Sequence, residues 1–277
     1  MSALPNAVQI ARGVGRAWLL AGFAFLYLPI VALIVYSFND SPVPEVWAGF
    51  TFKWFGQLGR DDELLGALGL SMRVAFCSAT AAVVLGLLAA YALVKIRAFR
   101  GRALFSGMIN APLLMPEVIV GLSLMLFLVS IQHLWGFPRR GFVTIWLGHV
   151  LLCLSYAAIV IEARLRELPP QLEEAALDLG ARPWQIFWLV TLPLIGQSLA
   201  SAWLLSFTLS LDDVVLSEFL SGPGATTLPM VIFSRARLGL SPSINAVATV
   251  IVVVVSLGVI AASLWLARQD RNKEVRP

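Results

Sequence analysis

Long stretches with almost no charge leave this chain few ways to fold. They run from Ala17 to Phe38, Val74 to Val94, Ala103 to Ile131, Phe142 to Ile161, Trp184 to Leu211 and Ile244 to Ala267. Each offers about the 20 residues that a helix needs to cross ~30 Å of hydrocarbon. Lipid gives the backbone no hydrogen-bond partner, so such segments must be helical. With 59% hydrophobic and 13% charged residues and a mean hydropathy of +0.85, the chain of 277 residues lies outside the range of a soluble domain. The expectation is an all-α integral membrane protein, one transmembrane domain over residues 1–277 with spans near 17–38, 74–94, 103–131, 142–161, 195–217 and 244–267. The fifth is set to begin near Ile195 because Pro193 would break a helix running through it.

Charge placement sets an orientation. Most of the twenty lysines and arginines, among them Arg16, Lys95, Arg100, Arg102, Arg164, Arg166 and Arg182, fall on the side that also holds both termini. By the positive-inside rule that side is cytoplasmic. The net charge of +4 suits a basic surface against anionic lipid and calls for no nucleic acid. No small-residue cleavage site follows the first span, which therefore reads as a retained anchor. Cys77 and Cys153 lie inside spans without disulfide or metal spacing, and His133 and His149 are isolated and read as structural. No phosphate-cradling glycine loop and no hydrolytic triad is present, so any ATP would be bound by another chain.

A polar island near Glu162 to Pro193 interrupts the apolar pattern. Pro169 and Pro170 suit a helix's first turn, and Glu173 and Glu174 follow where the helix dipole favours negative charge. Gly180 is the residue type that closes a helix in the left-handed conformation, and Arg182-Pro183 opens another. Between them Leu172, Ala175, Ala176 and Leu179 fall at i, i+3, i+4 and i+7, one narrow apolar stripe able to enter a groove or to rest on the protein itself.

Carboxylates inside a bilayer cost roughly 2.5–3.5 kcal/mol each at a span's centre and so mark pathways, relays or paired charges. Candidates are Glu117 after Pro116 in the third span, Asp212 and Asp213 near the outer end of the fifth, and Glu218 just beyond. On one continuous helix Trp203, Ser206, Ser210, Asp213 and Ser217 would share a face, an arrangement of ring, hydroxyls and carboxylate that suits a cation. Asp212 would point elsewhere, toward Thr208. The same carboxylates have a second reading, as caps of the helix end or partners of Arg235 or Arg237, and Glu117 could serve the backbone freed by Pro116. Lysine and arginine are scarce at these depths, which disfavours an anionic solute.

The run Glu174-Ala175-Ala176, then Gly180, Val190 and Leu192-Pro193, resembles the EAA loop of permease subunits of bacterial ABC importers, with valine where isoleucine is usual. The segments Leu209 to Val215 and Ser221 to Met230, with Tyr36 to Asn39, Ala111 to Leu113 and Arg164 to Leu168, are similar to polyamine importer permeases, most of all the second membrane subunit of putrescine importers. Glu117 stands where that likeness implies aspartate. The resemblance implies the type I importer permease fold in the bacterial inner membrane, with a cytoplasmic coupling helix in a loop near 164–193. It implies that Glu173, Glu174, Ala175, Ala176, Asp178, Gly180 and Pro193 engage an ATPase, and it strengthens the reading from position and spacing that Trp203, Ser206, Ser210, Asp212, Asp213, Glu117 and Glu218 line the substrate's path. The partners implied are a second homologous permease, an ATPase dimer that binds ATP and magnesium, and a periplasmic polyamine-binding protein. The cargo is then putrescine, with spermidine or another small cation as alternatives. A stand-alone transporter coupling protons through Asp212, Asp213 and Glu117 is the competing reading, which the coupling loop argues against.

Overall fold

The computed structural model describes residues 4–41, 46–96, 99–238 and 242–274. Its helices in chain order are α1 (Leu4–Tyr36), α2 (Lys53–Leu58), α3 (Asp62–Lys95), α4 (Arg102–Leu114), α5 (Glu117–Trp135), α6 (Phe142–Glu167), α7 (Pro170–Asp178), α8 (Pro183–Ile186), α9 (Leu192–Asp212), α10 (Val215–Leu220), α11 (Leu228–Leu238) and α12 (Pro242–Glu274). Among the described residues, five helical stretches are long and apolar enough to cross a membrane: Gly13–Tyr36, Asp62–Lys95, Glu117–Trp135, Phe142–Glu167 and Pro183–Asp212. In α12 the corresponding apolar part is the shorter Pro242–Leu257.

The chain divides into two compact units. In the first, the described parts of Met1–Asp62 and Ser234–Pro277, α12 packs against α1 and α2. The chain after α1 folds around buried Asn39, whose side-chain amide donates to the Val46 carbonyl at 2.8 Å and accepts from the Ala48 amide at 3.0 Å. Arg235 makes a two-point ion pair with Asp61, at 2.5 and 3.0 Å. The apolar window of α1 is 0% buried, with Trp18 76% and Phe25 81% exposed, which is the surface expected where the solvent is lipid.

The second unit, Glu63–Phe233, is organised around α6, whose apolar window is 61% buried and which packs against α4, α5, α9 and α10. Lipid tails are as apolar as leucine, so close packing and interhelical hydrogen bonds hold such a bundle together. The buried residues of α6 include small ones, Gly148, Ser155, Ala157 and Ala158, and polar ones that reach neighbouring helices. Ser155 Oγ donates to the Ile109 carbonyl of α4 at 2.5 Å, and Cys153 Sγ to the Ser206 carbonyl of α9 at 3.4 Å.

Two expected spans take a different form. The stretch 103–131 is two helices, because Pro116 supplies no backbone donor and Met115 before it is extended (φ −94°, ψ 139°). Glu117 therefore opens α5 instead of lying within a continuous helix. The fifth span begins at Pro183, not near Ile195, since Phe187–Thr191 is a π-helical turn and the ladder steps to Leu192 N donating to Phe187 O just before Pro193. It also ends at Asp212, with Asp213 extended (φ −66°, ψ 127°), instead of continuing to Ser217. Because α6 runs on to Glu167 and α8 starts at Pro183, the loop expected over 164–193 contracts to residues 168–182.

Where α3 meets α6, Gly86 sits so close that a Cβ there would lie 3.0 Å from both the Ala157 Cβ and the Ala158 backbone nitrogen. Gly86→Leu should therefore cost about 1–3 kcal/mol by forcing the two helices apart. Thermal unfolding of the detergent-solubilised protein checks this, and an unchanged midpoint would show that the approach is not needed.

Candidate functional site

Two helix breaks, at Met115–Pro116 and at Asp213–Val214, meet at one cavity of about 340 Å³. Glu117, Asp212, Asp213 and Tyr156 line it, together with Leu152, Leu209, Val214 and Val215. Non-helical backbone at membrane depth is tolerated where it faces protein or a cavity, so the breaks and the cavity explain each other. Three carboxylates in so small a space, with no lysine or arginine among the described wall residues, make it a place for positive charge.

The carboxylates are held differently. Glu117 and Asp212 are exposed to the cavity side, whereas the Asp213 side chain is only 5% exposed. Its Oδ2 accepts from the Ser217 amide at 2.8 Å and its Oδ1 from the Leu216 amide at 3.3 Å, which caps the first turn of α10. His149 of α6 brings Nε2 to 3.1 Å from the same Oδ2 and Nδ1 to 2.7 Å from Ser210 Oγ. The far end of α10 is satisfied too, since Arg140 donates to the Phe219 carbonyl at 2.9 Å and Thr144 to the Leu220 carbonyl at 2.6 Å. Both ends of this six-residue helix thus find partners without water.

The single face expected of Trp203, Ser206, Ser210, Asp213 and Ser217 is divided, because α9 stops at Asp212. Trp203 turns to α3, donating to Thr80 Oγ1 at 3.1 Å, edge-on to Phe76 and stacked on Phe207, and is absent from the cavity wall. Ser206 is buried against α6, and Ser210 is engaged by His149. Glu218 is exposed on α10, and Thr208 donates to the Leu204 carbonyl. Of the two readings open for Asp213, capping describes its contacts. The sequence reading missed His149 and Tyr156 as neighbours of the carboxylates. The available signal was an ionisable ring inside a charge-poor span, one helical face with Cys153 and Tyr156 at i+4 and i+7.

At the polar island the expected helix, turn and helix form. Gly180 has φ +83°, its amide donates to the Leu177 carbonyl at 2.8 Å, and the Ala181 amide reaches back to the Ala176 carbonyl at 3.0 Å. That is a Schellman closure of α7. No residue of α7 is buried, and its apolar stripe stands open, with Leu172 43% and Leu179 89% exposed. Ala175 and Ala176 lie between them, with Glu174 and Asp178 also exposed. Glu173 is the exception, since it pairs with Lys95 at the end of α3 at 2.8 Å and accepts from Thr191 Oγ1 at 2.9 Å. One side chain thereby ties α7 to the ends of two long helices, while Pro193 rides exposed at the start of α9.

A profile of the family described as binding-protein-dependent transport system inner membrane component matches residues 82–275, well over half of the 277 residues. The chain belongs to that family. The permease is 52% identical over 256 residues to the putrescine transport system permease protein PotI of Escherichia coli (strain K12), covering 92% of this chain and 91% of that one. It is 39% identical over 267 residues to the spermidine/putrescine transport system permease protein PotC of the same organism, covering 96% and 97%. Among solved structures it is similar to a chain of a bacterial ABC transporter involved in the import of the acidic polysaccharide alginate, with a TM-score of 0.69 at 20% identity over 94% of this chain and 97% of that one. That likeness concerns the fold, and the permease has the all-α fold of type I ABC importer subunits.

Nothing crowds Gly180, so its constraint is the backbone angle alone. Gly180→Val should cost about 1–2 kcal/mol in left-handed strain, and Gly180→Asn less. Amide hydrogen exchange checks this: Ala181 should lose protection in the valine variant, and full protection there would refute the closure's dependence on glycine.

Proposed function

We propose that the permease moves putrescine, or a closely related polyamine, inward through the carboxylate-walled cavity, as one of two different permease subunits of an ATP-driven importer. The observation that carries this reading is the meeting of Glu117, Asp212 and Asp213 at two helix breaks. Putrescine is a flexible dication, and its ammonium groups need acceptors that replace water; exposed Glu117 and Asp212 supply them, and the Tyr156 ring offers a cation–π and methylene contact. The 52% identity to a permease named for putrescine transport supports this cargo, while the 39% identity to one named for spermidine and putrescine keeps spermidine as the second reading.

The motor lies elsewhere in the assembly. A separate ATPase dimer binds ATP with magnesium, and the open stripe of α7 docks into it, with Glu173, Glu174, Ala175, Ala176, Asp178 and Gly180 shaping the contact and Pro193 marking where the loop joins α9. Both termini and α7 face the cytoplasm, and a periplasmic binding protein delivers polyamine to the opposite side. ATP binding closes the motor, α7 follows, the outer side opens, and hydrolysis resets the inward-facing state. A proton-driven transporter working alone would have no use for an apolar helix stripe left uncovered.

The decisive measurement is uptake of labelled putrescine and spermidine by the reconstituted complex in liposomes. Wild-type uptake should require ATP, and Asp212→Asn should lower it about tenfold by deleting one charged acceptor. Full uptake in that variant would remove the cavity from the pathway, and ATP-driven uptake of neither polyamine would overturn the cargo.

A further inference from the structure

We infer that His149 is the positioning residue of the carboxylate cluster, holding Asp213 so that the broken end of α9 keeps Asp212 at the cavity, an inference that rests on the pathway proposed above. The ring is 1% exposed and touches three sequence-distant groups: Asp213 Oδ2 and Ser217 Oγ, each 3.1 Å from Nε2, and Ser210 Oγ, 2.7 Å from Nδ1. A carboxylate only accepts, so Nε2 carries the proton that points at Asp213, while Nδ1 is hydrogen-bonded to the Ser210 hydroxyl. The imidazole thus has a partner at each ring nitrogen. It bridges α6, the last turn of α9 and the first turn of α10, and so spans the break itself.

The geometry separates this role from mere core packing. Asp213 has no lysine or arginine against it in the cavity wall, and its acceptors are met by two amides and by His149. Without the ring one carboxylate oxygen loses its side-chain donor, and the 212–214 backbone loses its only side-chain tether to α6 described here. Asp212 is the residue immediately before that backbone turns, so its direction depends on how the turn is pinned. His149 never reaches the cavity wall, and it acts on the cargo only through Asp213.

The test is a set of variants in the reconstituted, complete importer, with uptake of labelled putrescine expressed per assembled complex and ATP hydrolysis measured in parallel. His149→Leu should lower uptake about tenfold with assembly and ATP hydrolysis preserved, the loss expected when a buried charged group loses a hydrogen-bond donor. His149→Gln, which keeps an N–H donor at similar reach, should recover a large part of it. In the double variant with Asp213→Asn the losses should not multiply, because both remove one interaction. Full uptake in His149→Leu, no recovery with glutamine, or multiplied losses would each overturn the role. Should the leucine variant fail to assemble, Ser210→Ala, which removes the hydroxyl that orients the ring, carries the same cycle. Asp212→Asn runs alongside: normal uptake there defeats the pathway reading, whereas a loss there beside full uptake in His149→Leu defeats only the role of His149.

Discussion

The hydrogen bonds that α6 sends to its neighbours are what allow this membrane bundle to contain broken helices at all. Every helix end inside lipid leaves donors and acceptors that water cannot satisfy. Here Thr144 takes the Leu220 carbonyl, His149 takes Asp213 and Ser210, Cys153 takes the Ser206 carbonyl, and Ser155 takes the Ile109 carbonyl. These four side chains are all buried on a single helix, Thr144 and Ser155 on one side of it and His149 and Cys153 on the other. Because Thr144, Cys153 and Ser155 are short and Gly148, Ala157 and Ala158 are buried on the same helix, the partners approach closely enough for the bonds to form. Packing and polar satisfaction are therefore one requirement on α6, and the cavity exists because α6 meets it.

Composition and periodicity made the helices, the left-handed Gly180 and the open stripe of α7 legible from the sequence, since each depends on local chemistry: hydrophobic length, the αL tolerance of glycine, the i+3/i+4 spacing. What was not legible depended on long-range partners. Pro116 broke its span, whereas Pro193 did not, although both lack a donor. At Pro193 the preceding π turn re-registers the ladder, and nothing in a proline itself announces that. Likewise the stop at Asp212 follows from Asp213 finding two amides of α10 and an imidazole 64 positions earlier in the chain, a contact that no helical-wheel argument contains. The same stop took Asp213 and Ser217 off the helix face drawn through Trp203, Ser206 and Ser210, so a stripe drawn on one helix became two sites.

The fold leaves the cargo open, and the wall chemistry carries that choice. A protein of this fold, similar at a TM-score of 0.69, belongs to a transporter that imports an acidic polysaccharide. The cavity at the breaks here is lined by Glu117, Asp212 and Asp213, with no basic residue among the described wall residues, which in the proposed pathway suits a cation. Glu117 adds a further degree of choice. It opens α5 beside Pro116, and a glutamate reaches one methylene farther into a cavity of about 340 Å³ than an aspartate would, so in the proposed pathway the acceptor spacing offered to a diamine would be set partly by that residue.

One continuous helical stretch, Pro183–Asp212, joins the two sites. At 1.5 Å per residue its 30 residues extend about 45 Å, from the turn closed by Gly180 to the carboxylates at the cavity. Near its base Thr191 bonds Glu173, which is also paired with Lys95 of α3, so a displacement of α7 is delivered to both long helices and not to a loose loop. In the proposed cycle that matters more than the docking stripe itself. A push on α7 does work at the far end only if α9 behaves as a rod and if its tip is fixed in direction. The π turn at Phe187–Thr191 is the one place along the stretch where the ladder is not α-helical, and it lies directly beside the Glu173 contact. In the proposed cycle a bend falls at this driven end, while His149 and the α10 cap fix the direction of the far end, so that a tilt of the whole stretch would carry Asp212 relative to Glu117.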